Sequence, residues 1–352
     1  MLASSTLASV VSGPGACRGR EIMERGMTTW QSLERLGASL ALRTQAPKRR
    51  MLVIVNPYAT TVSERLKNLV VHALLARYRV QVAETQGPGH AIELSRDAAA
   101  DGYDVVAALG GDGTINEAAN GLVGSQTVLT CLPGGSTNAY CRLLGTSNEM
   151  VDATERLLRL ADSWHPRPVD LARVGDRHFT FSSGMGLDAS VVRRVDAHPL
   201  FKAYLPQWYF TYAAMEMLAR EYLIRPPRME LVAGGRALRG VTAIVQNASA
   251  YAYFGTRPIT VARGVRLDNG RLIGGMLGRA NALDVPALLW HGLSDKACLD
   301  DHRHVHSVHG VTELRVRSTD RRPVPLEADG EYLGDVTEAV YRIAPRAMTV
   351  LA

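Results

Sequence analysis

Long apolar runs are missing from this 352-residue chain. No uninterrupted stretch reaches the roughly 18 residues that a helical membrane span requires, so the sequence offers no such span. Cysteine is scarce. Cys17, Cys131, Cys141 and Cys298 lie far apart, without the close spacing of a zinc site or a Cys-x-x-Cys redox pair. That usage suits a reduced, cytosolic protein. Aromatic residues make up only 6% of the chain, and the basic runs are short: Lys48, Arg49 and Arg50, then Arg321 and Arg322. A nucleic-acid surface needs more charge interleaved with aromatics, so no nucleic-acid partner is expected. The formal charge of +6 suits an anionic membrane face or a polyanionic ligand. Two phosphate-binding signatures are also absent. No Gly-x-Gly-x-x-Gly follows a strand, and no Gly-Lys-Ser/Thr closes a Walker loop.

What the chain does contain is a different glycine turn. Residues 105–121 read VVAALGGDGTINEAANG. Five apolar residues form a buried strand. Gly110, Gly111, Asp112 and Gly113 make a tight turn. Thr114 and Glu117 have the spacing of a capping box that opens a helix, and Gly121 closes it. Glycines let the backbone approach a ligand, and the free N–H groups of a helix start attract an anion. Asp112 is out of place in a cradle for phosphate alone. It makes sense beside a divalent cation or a hydroxyl proton.

Either side of this turn, strands and helices alternate. Strands are expected at 51–55, 79–83, 105–109 and 127–132, with helices at 62–77, 91–100 and 114–121 and another running to Gly145. This pattern predicts an α/β N-terminal domain with a parallel sheet and helices on both faces. Four loops then share the sheet's C-terminal edge: 56–60, 85–90, 110–114 and 133–138. From Val169 onward the pattern changes to short strands separated by Gly, Asp and Asn, at 169–174, 179–182, 228–232, 238–245, 259–262, 271–277, 313–316 and 324–327. A helix at 285–299 interrupts them. This predicts a β-sandwich-rich C-terminal domain. The segment 204–222, with Trp208, Tyr209, Tyr212, Met215 and Leu218, reads as a core-facing helix. His302, His304, His306 and His309 have no carboxylate or cysteine at ligand spacing and read as a polar, exposed stretch. The expected organisation is 1–47 disordered, a targeting peptide or an overlong gene start; 48–165 nucleotide-binding; 166–340 β-rich and lipid-binding; and 341–352 a C-terminal strand. A loose helix is expected near 30–42.

The motifs as a set resemble the diacylglycerol kinase catalytic domain family. They are Asn56–Pro57; Gly110–Gly111–Asp112–Gly113–Thr114 with Asn116–Glu117; Pro133–Gly134–Gly135–Ser136–Thr137–Asn138; and Asp329–Gly330–Glu331. The superfamily includes bacterial soluble lipid kinases, sphingosine and ceramide kinases and, more distantly, NAD kinases. The resemblance implies an ATP- and Mg²⁺-dependent kinase acting on a lipid hydroxyl, with diacylglycerol first and a sphingoid base or ceramide as alternatives. A catalytically silent nucleotide sensor at the membrane is the rival of another class. It implies ATP contacts from Asn56, Pro57, Tyr58, Ala59, Thr60, Thr85, Gly110, Gly111, Gly113, Thr114, Ile115, Asn116, Glu117 and Ser136. It implies Glu331 as the catalytic base, Asp112 beside the phosphates on Mg²⁺, and Asp188 on the lipid head. It further implies a cytoplasmic protein peripheral at the membrane, acting in phospholipid biosynthesis, with room for a homodimer. Two positions depart from the family pattern. Ala139 replaces a carboxylate. The turn where relatives hold a structural Mg²⁺ reads Asp268–Asn269–Gly270, which leaves Asn269 as its doubtful ligand.

Overall fold

The structure is a computed structural model that describes residues 34, 36–37, 48–59, 63–197, 216–294 and 297–352. The expectations for most of residues 1–47, for Thr60 and for most of the aromatic segment 204–222 lie outside the described residues.

Four parallel strands open the fold: β1 (Arg49–Val55), β2 (Tyr78–Glu84), β3 (Val105–Gly110) and β4 (Val128–Pro133). They lie in the order β2-β1-β3-β4. β3 and β4 are buried along their whole length, as central parallel strands covered on both faces must be. The alternation along β1 divides the core. Met51, Val53 and Val55 join one apolar cluster with Val70 and Leu74 of α1 (Glu64–Leu74) and Leu157 and Leu158 of α5 (Met150–Ser163). Leu52 and Ile54 face the opposite cluster, which holds Ala91 of α2 (His90–Ala100), Ile115, Ala118 and Leu122 of α3 (Asp112–Leu122), and Tyr140 of the short α4 (Ala139–Leu143). Helices on both faces are what the alternating pattern predicts.

The second half returns to this sheet. β18 (Glu338–Val350) runs parallel to β4 at Val350–Leu129 and antiparallel to β5 (Arg167–Val174) and β15 (Glu313–Ser318). With β6 (Arg177–Phe179), β8 (Met229–Ala233) and β9 (Arg236–Gly240) this makes one ten-stranded sheet. A six-stranded antiparallel sheet lies over its far part. Its order is β14 (Val305–Val311), β13 (Leu272–Leu277), β10 (Thr242–Gln246), β7 (Ser182–Met185), β16 (Val324–Ala328), β17 (Glu331–Val336). Leu231, Val316 and Tyr341 from the large sheet pack with Val245, Met276 and Leu326 from the small one, which is the predicted sandwich. A ribbon of β11 (Ala252–Phe254) and β12 (Arg257–Ile259) adjoins helix α7 (Val285–Leu293), while α6 (Leu187–Asp196) follows β7.

Three expectations change in detail. The strand expected at 238–245 is two strands, one in each sheet. The chain crosses between them at Gly240, where a Cβ would fall 2.2 Å from the Leu277 carbonyl. The helix expected to reach 299 stops at Leu293. Gly121 does not close α3 but lies inside it. A Cβ there would stand 2.4 Å from the Ile92 carbonyl and 2.7 Å from Ser95 Cβ. The glycine therefore lets α2 and α3 cross closely. Ala in a free helix interior would gain up to about 1 kcal/mol over Gly. Here overpacking, at roughly 1–3 kcal/mol, outweighs that gain. Gly121→Ala is accordingly expected to lower stability in urea unfolding; an increase would show that the helices part without cost.

Candidate functional site

Two glycine loops meet backbone to backbone at the sheet's C-terminal edge. A Cβ on Gly135 would lie 2.8 Å from Gly111 Cα, and the Gly134 N–H donates to the Gly110 carbonyl at 2.9 Å. A Cβ on Gly110 would sit 2.8 Å from the Thr114 side chain. Only glycine fits either place. Asn138, in left-handed backbone at φ 50, closes the second loop by accepting from Gly135 N and donating to Gly135 O. The third loop is tied in by Asn56, whose N–H reaches Leu109 O and whose Nδ2 donates to Thr114 Oγ1 at 3.1 Å. The fourth is tied by Thr85 N to Val55 O at 2.9 Å. All four predicted loops therefore share one edge. Gly113, Pro57, Tyr58 and Ser136 are exposed there, and Ala59 is half-buried.

α3 begins at Asp112, before the Thr114 capping position expected from sequence. Starting there, it aims its first unpaired N–H groups into the loop cluster. The capping box does not form. Glu117 instead accepts from Gly89 N at 2.7 Å and Ala91 N at 3.1 Å, holding the start of α2. Ile115 is a core side chain whose N–H is spent on Gly111 O. Asp112 accepts from Tyr140 N at 3.0 Å and so steadies α4. Burial pushes its carboxyl above the ordinary value, while the Ala139 and Tyr140 N–H groups pull the other way. Ala139 thus contributes its backbone to this carboxylate. Asp112 is a hard oxygen donor beside the anion cradle, the kind that Mg²⁺ takes.

The late Asp-Gly-Glu motif reaches the same helix. Asp329 (φ 49) and Gly330 (φ 78) form the tight left-handed turn between β16 and β17. The buried Asp329 carboxylate accepts five hydrogen bonds. On Oδ2 they come from Asn116 Nδ2 (2.6 Å), Thr180 N (2.6 Å) and Thr180 Oγ1 (2.7 Å); on Oδ1, from Phe181 N (3.0 Å) and Ser182 N (3.1 Å). Asn116 and Asn120 also donate to the His178 carbonyl, and His178 N donates back to Asn120 Oδ1. The helix behind the glycine turn is therefore stitched directly to the turn that carries Glu331. Glu331 itself pairs with Arg177 Nη2 at 2.5 Å, with side-chain exposures of 42% and 20% respectively.

Asp188, in the first turn of α6, faces the buried Glu327 across Gly184. A Cβ on Gly184 would fall 2.6 Å from Asp188 Oδ2 and 2.9 Å from Glu327 Oε1. Burial pushes both carboxyls up, and the Asp188 charge pushes Glu327 well up. Two carboxyls this close disfavour both being charged at once. Glu327 Oε2 accepts from Gly330 N at 2.8 Å, so this pair also braces the Glu331 turn. Sequence reasoning missed Glu327, Arg177 and the role of Asp329. Only Asp329 had a local signal, as the first residue of its motif.

Other candidates do not converge. Asp170 accepts from Gly270 N and Arg346 N, Asp268 pairs with Arg266, and Asn269 donates to Gly264 O, leaving its buried Oδ1 alone. The turn thus offers one unpartnered amide oxygen and a carboxylate that Arg266 already engages, a sparse donor set for Mg²⁺. The histidines split up. His304 binds Asp284, His309 binds Ser307, and His302 stacks edge-on between His291 and His304. Cys131 and Cys141, distant in sequence, form a buried hydrogen-bonded pair that pushes the Cys131 thiol well up. Burial and this contact make the Cys131 thiol a packing group rather than a nucleophile.

A parallel α/β sheet with two glycine loops at its C-terminal edge is completed by a strand from a β-sandwich. Residues 50–174 match the profile of the diacylglycerol kinase catalytic domain. The chain is 30% identical to a Bacillus subtilis (strain 168) diacylglycerol kinase over 54% of its own length and 62% of the relative's. It is 30% identical to a diacylglycerol kinase of Staphylococcus aureus (strain bovine RF122 / ET3-1) over 38% and 42% respectively. The matches thus span about three-fifths and two-fifths of these relatives. A Bacillus anthracis crystal structure, provisionally assigned as a diacylglycerol kinase, has the same fold: TM-score 0.68, 22% identity, 88% of this chain and 98% of that one.

The junction carries two tests. Asp329→Asn turns one acceptor oxygen into a donor facing N–H groups, and hydrogen bonds to a charged group are worth about 1.5–3 kcal/mol each. A loss of roughly 3 kcal/mol in denaturant unfolding is expected, and wild-type stability would show the five contacts to be idle. The second concerns Glu327. Its folded-state value is raised, so its contribution is full at low pH and fades as pH rises through that value. Glu327→Gln stays neutral. Its melting temperature should fall less than the wild type's as pH rises above the ordinary carboxylate range, and parallel declines would show that Glu327 is not held neutral.

Proposed function

We propose that the chain is a Mg²⁺-ATP-dependent lipid kinase that transfers the γ-phosphate to a lipid hydroxyl, making phosphatidic acid from diacylglycerol. The observation that carries this reading is the Asp329–Asn116 contact, which ties the helix that follows the glycine turn to the acidic turn before Glu331. The family match over residues 50–174 and the names of the relatives support the reaction class.

In this reading the phosphates of ATP lie against the glycine loops around Gly110–Thr114 and Gly134–Ser136, where glycine backbone dominates the approach and Asp112 and Ser136 stand beside it. Asp112 would hold a Mg²⁺ on the nucleotide, and that ion would supply the positive charge that offsets what develops on the transferred group. The acceptor hydroxyl enters from the sandwich side. Glu331 takes its proton as the oxygen bonds to the γ-phosphorus and the bond to the leaving phosphate breaks. A loose phosphoryl-transfer transition state asks little basicity of this group and much of its position. Position is what the surroundings supply. Arg177 grips the carboxylate, Asp329 fixes the preceding residue pair, and Glu327 holds Gly330. Asp188, backed by the buried Glu327, faces the polar head of the lipid. Asn116 and Glu117 serve the reaction by holding this frame together.

Glu331→Gln is expected to fold and bind ATP normally while losing roughly 10²–10⁴-fold in turnover. Purified protein, Mg-ATP and mixed micelles of diacylglycerol, with radiolabelled phosphate followed by thin-layer separation, give the measurement. A wild-type protein that labels no diacylglycerol, sphingoid base or ceramide would overturn the kinase reading. A fully active Glu331→Gln would remove only the base assignment.

A further inference from the structure

Helix α7 presents its apolar side outward. Its sequence is VPALLWHGL, and its buried member is Gly292, which fits against Ile259 of the β11–β12 ribbon and Leu299. The outward positions are Leu283, just before the helix, then Pro286, Leu289 and Trp290. Their spacing of three and four places them along one face. Leu283 is 86% exposed, Leu289 57% and Trp290 71%. An amphipathic helix covering a core would do the reverse. Single exposed apolar residues need no explanation, but a contiguous stripe with a tryptophan does.

Cations stand at both ends of this stripe. Arg303 pairs with Asp284, the residue that precedes α7, and His304 binds the same carboxylate. Arg257 donates to the carbonyl of Leu293, the last helical residue. Arg279 is exposed a few residues before Leu283. Tryptophan and leucine flanked by arginines match the interface of an anionic bilayer, where the ring sits at headgroup depth and the guanidinium groups face phosphates.

We propose that the α7 face, Leu283–Pro286–Leu289–Trp290 with Arg257, Arg279 and Arg303 at its ends, docks the protein on an anionic lipid bilayer. The inference deepens the lipid-kinase reading and rests on it for its purpose, since a diacyl acceptor resides in the membrane. No residue of this face belongs to the loop cluster or the Glu331 turn, so docking and chemistry are separable.

The test uses the full chain without nucleotide. Wild type should co-sediment with vesicles of phosphatidylglycerol and phosphatidylcholine, and brominated acyl chains should quench its tryptophan emission. Leu289→Ser/Trp290→Ser should bind at least tenfold more weakly with an unchanged melting temperature, and should keep wild-type transfer to a short-chain, water-soluble diacylglycerol. Arg257→Gln or Arg279→Gln should each cost about fivefold on anionic vesicles and nothing on neutral ones. Equal vesicle binding by wild type and the double variant would overturn the proposal. So would a wild-type dimer that the double variant converts to monomer in light scattering, because a second copy would then cover the face. Binding lost in the variant from a protein that phosphorylates no lipid would sink the kinase reading and leave the docking surface standing.

Discussion

A single buried carboxylate fixes the relation between the two halves of this molecule. Asp329 gathers donors from α3, from the Thr180–Ser182 backbone and from a threonine hydroxyl. Burial alone pushes its carboxyl up, and the N–H groups of Thr180, Phe181 and Ser182 pull against that shift. An unpaired charge there would be intolerable, so the surroundings must close on it. When they close, the Asp329–Gly330 turn takes one position, Glu331 follows on the next residue, and the glycine-turn helix is held through Asn116. Geometry at the crevice is a by-product of satisfying one charge.

The glycine loops obey a related constraint. Gly111 and Gly135 approach so closely that side chains are excluded, and the ligand-facing surface is backbone. Polar side chains that a motif reading assigns to nucleotide turn inward as bracing. Thr114 receives Asn56, Asn116 reaches across to Asp329, and Glu117 holds α2. What the loop junction offers a ligand in the proposed reading is N–H groups and a helix start, with Asp112 beside them.

Much of this was legible beforehand, and the parts that were not share a reason. Runs such as 105–109 announce central strands because both of their faces are covered, and the glycine spacing announces the turns. The four-loop edge then follows from α/β topology. Long-range partners leave no local trace. Arg177 and Glu331 are separated by most of the sandwich in sequence, and nothing around Glu327 signals that it will meet Asp188. The Thr114–Glu117 spacing was misleading because Asp112 and Gly113 already have helical backbone, so the helix began before its apparent cap. Gly121 looked like a stop because a local reading cannot see α2 crossing there. The strand at 238–245 looked continuous because no turn residue other than Gly240 interrupts it, and a local reading cannot see the change of sheet there.

The last strand carries a consequence for how the polypeptide is made. β4 gains its outer neighbour only when Val350 pairs beside Leu129, about 200 residues later in the chain. Ribosomes add on the order of 5–20 residues per second, so the nascent sheet presents β4, with its sequence VLTCLP, as a bare apolar edge for some tens of seconds. Such an edge invites pairing with other chains. Completion of the nucleotide-side sheet is therefore a late event in biogenesis, and a helper that shields that edge during translation would act on this protein at its most vulnerable stage.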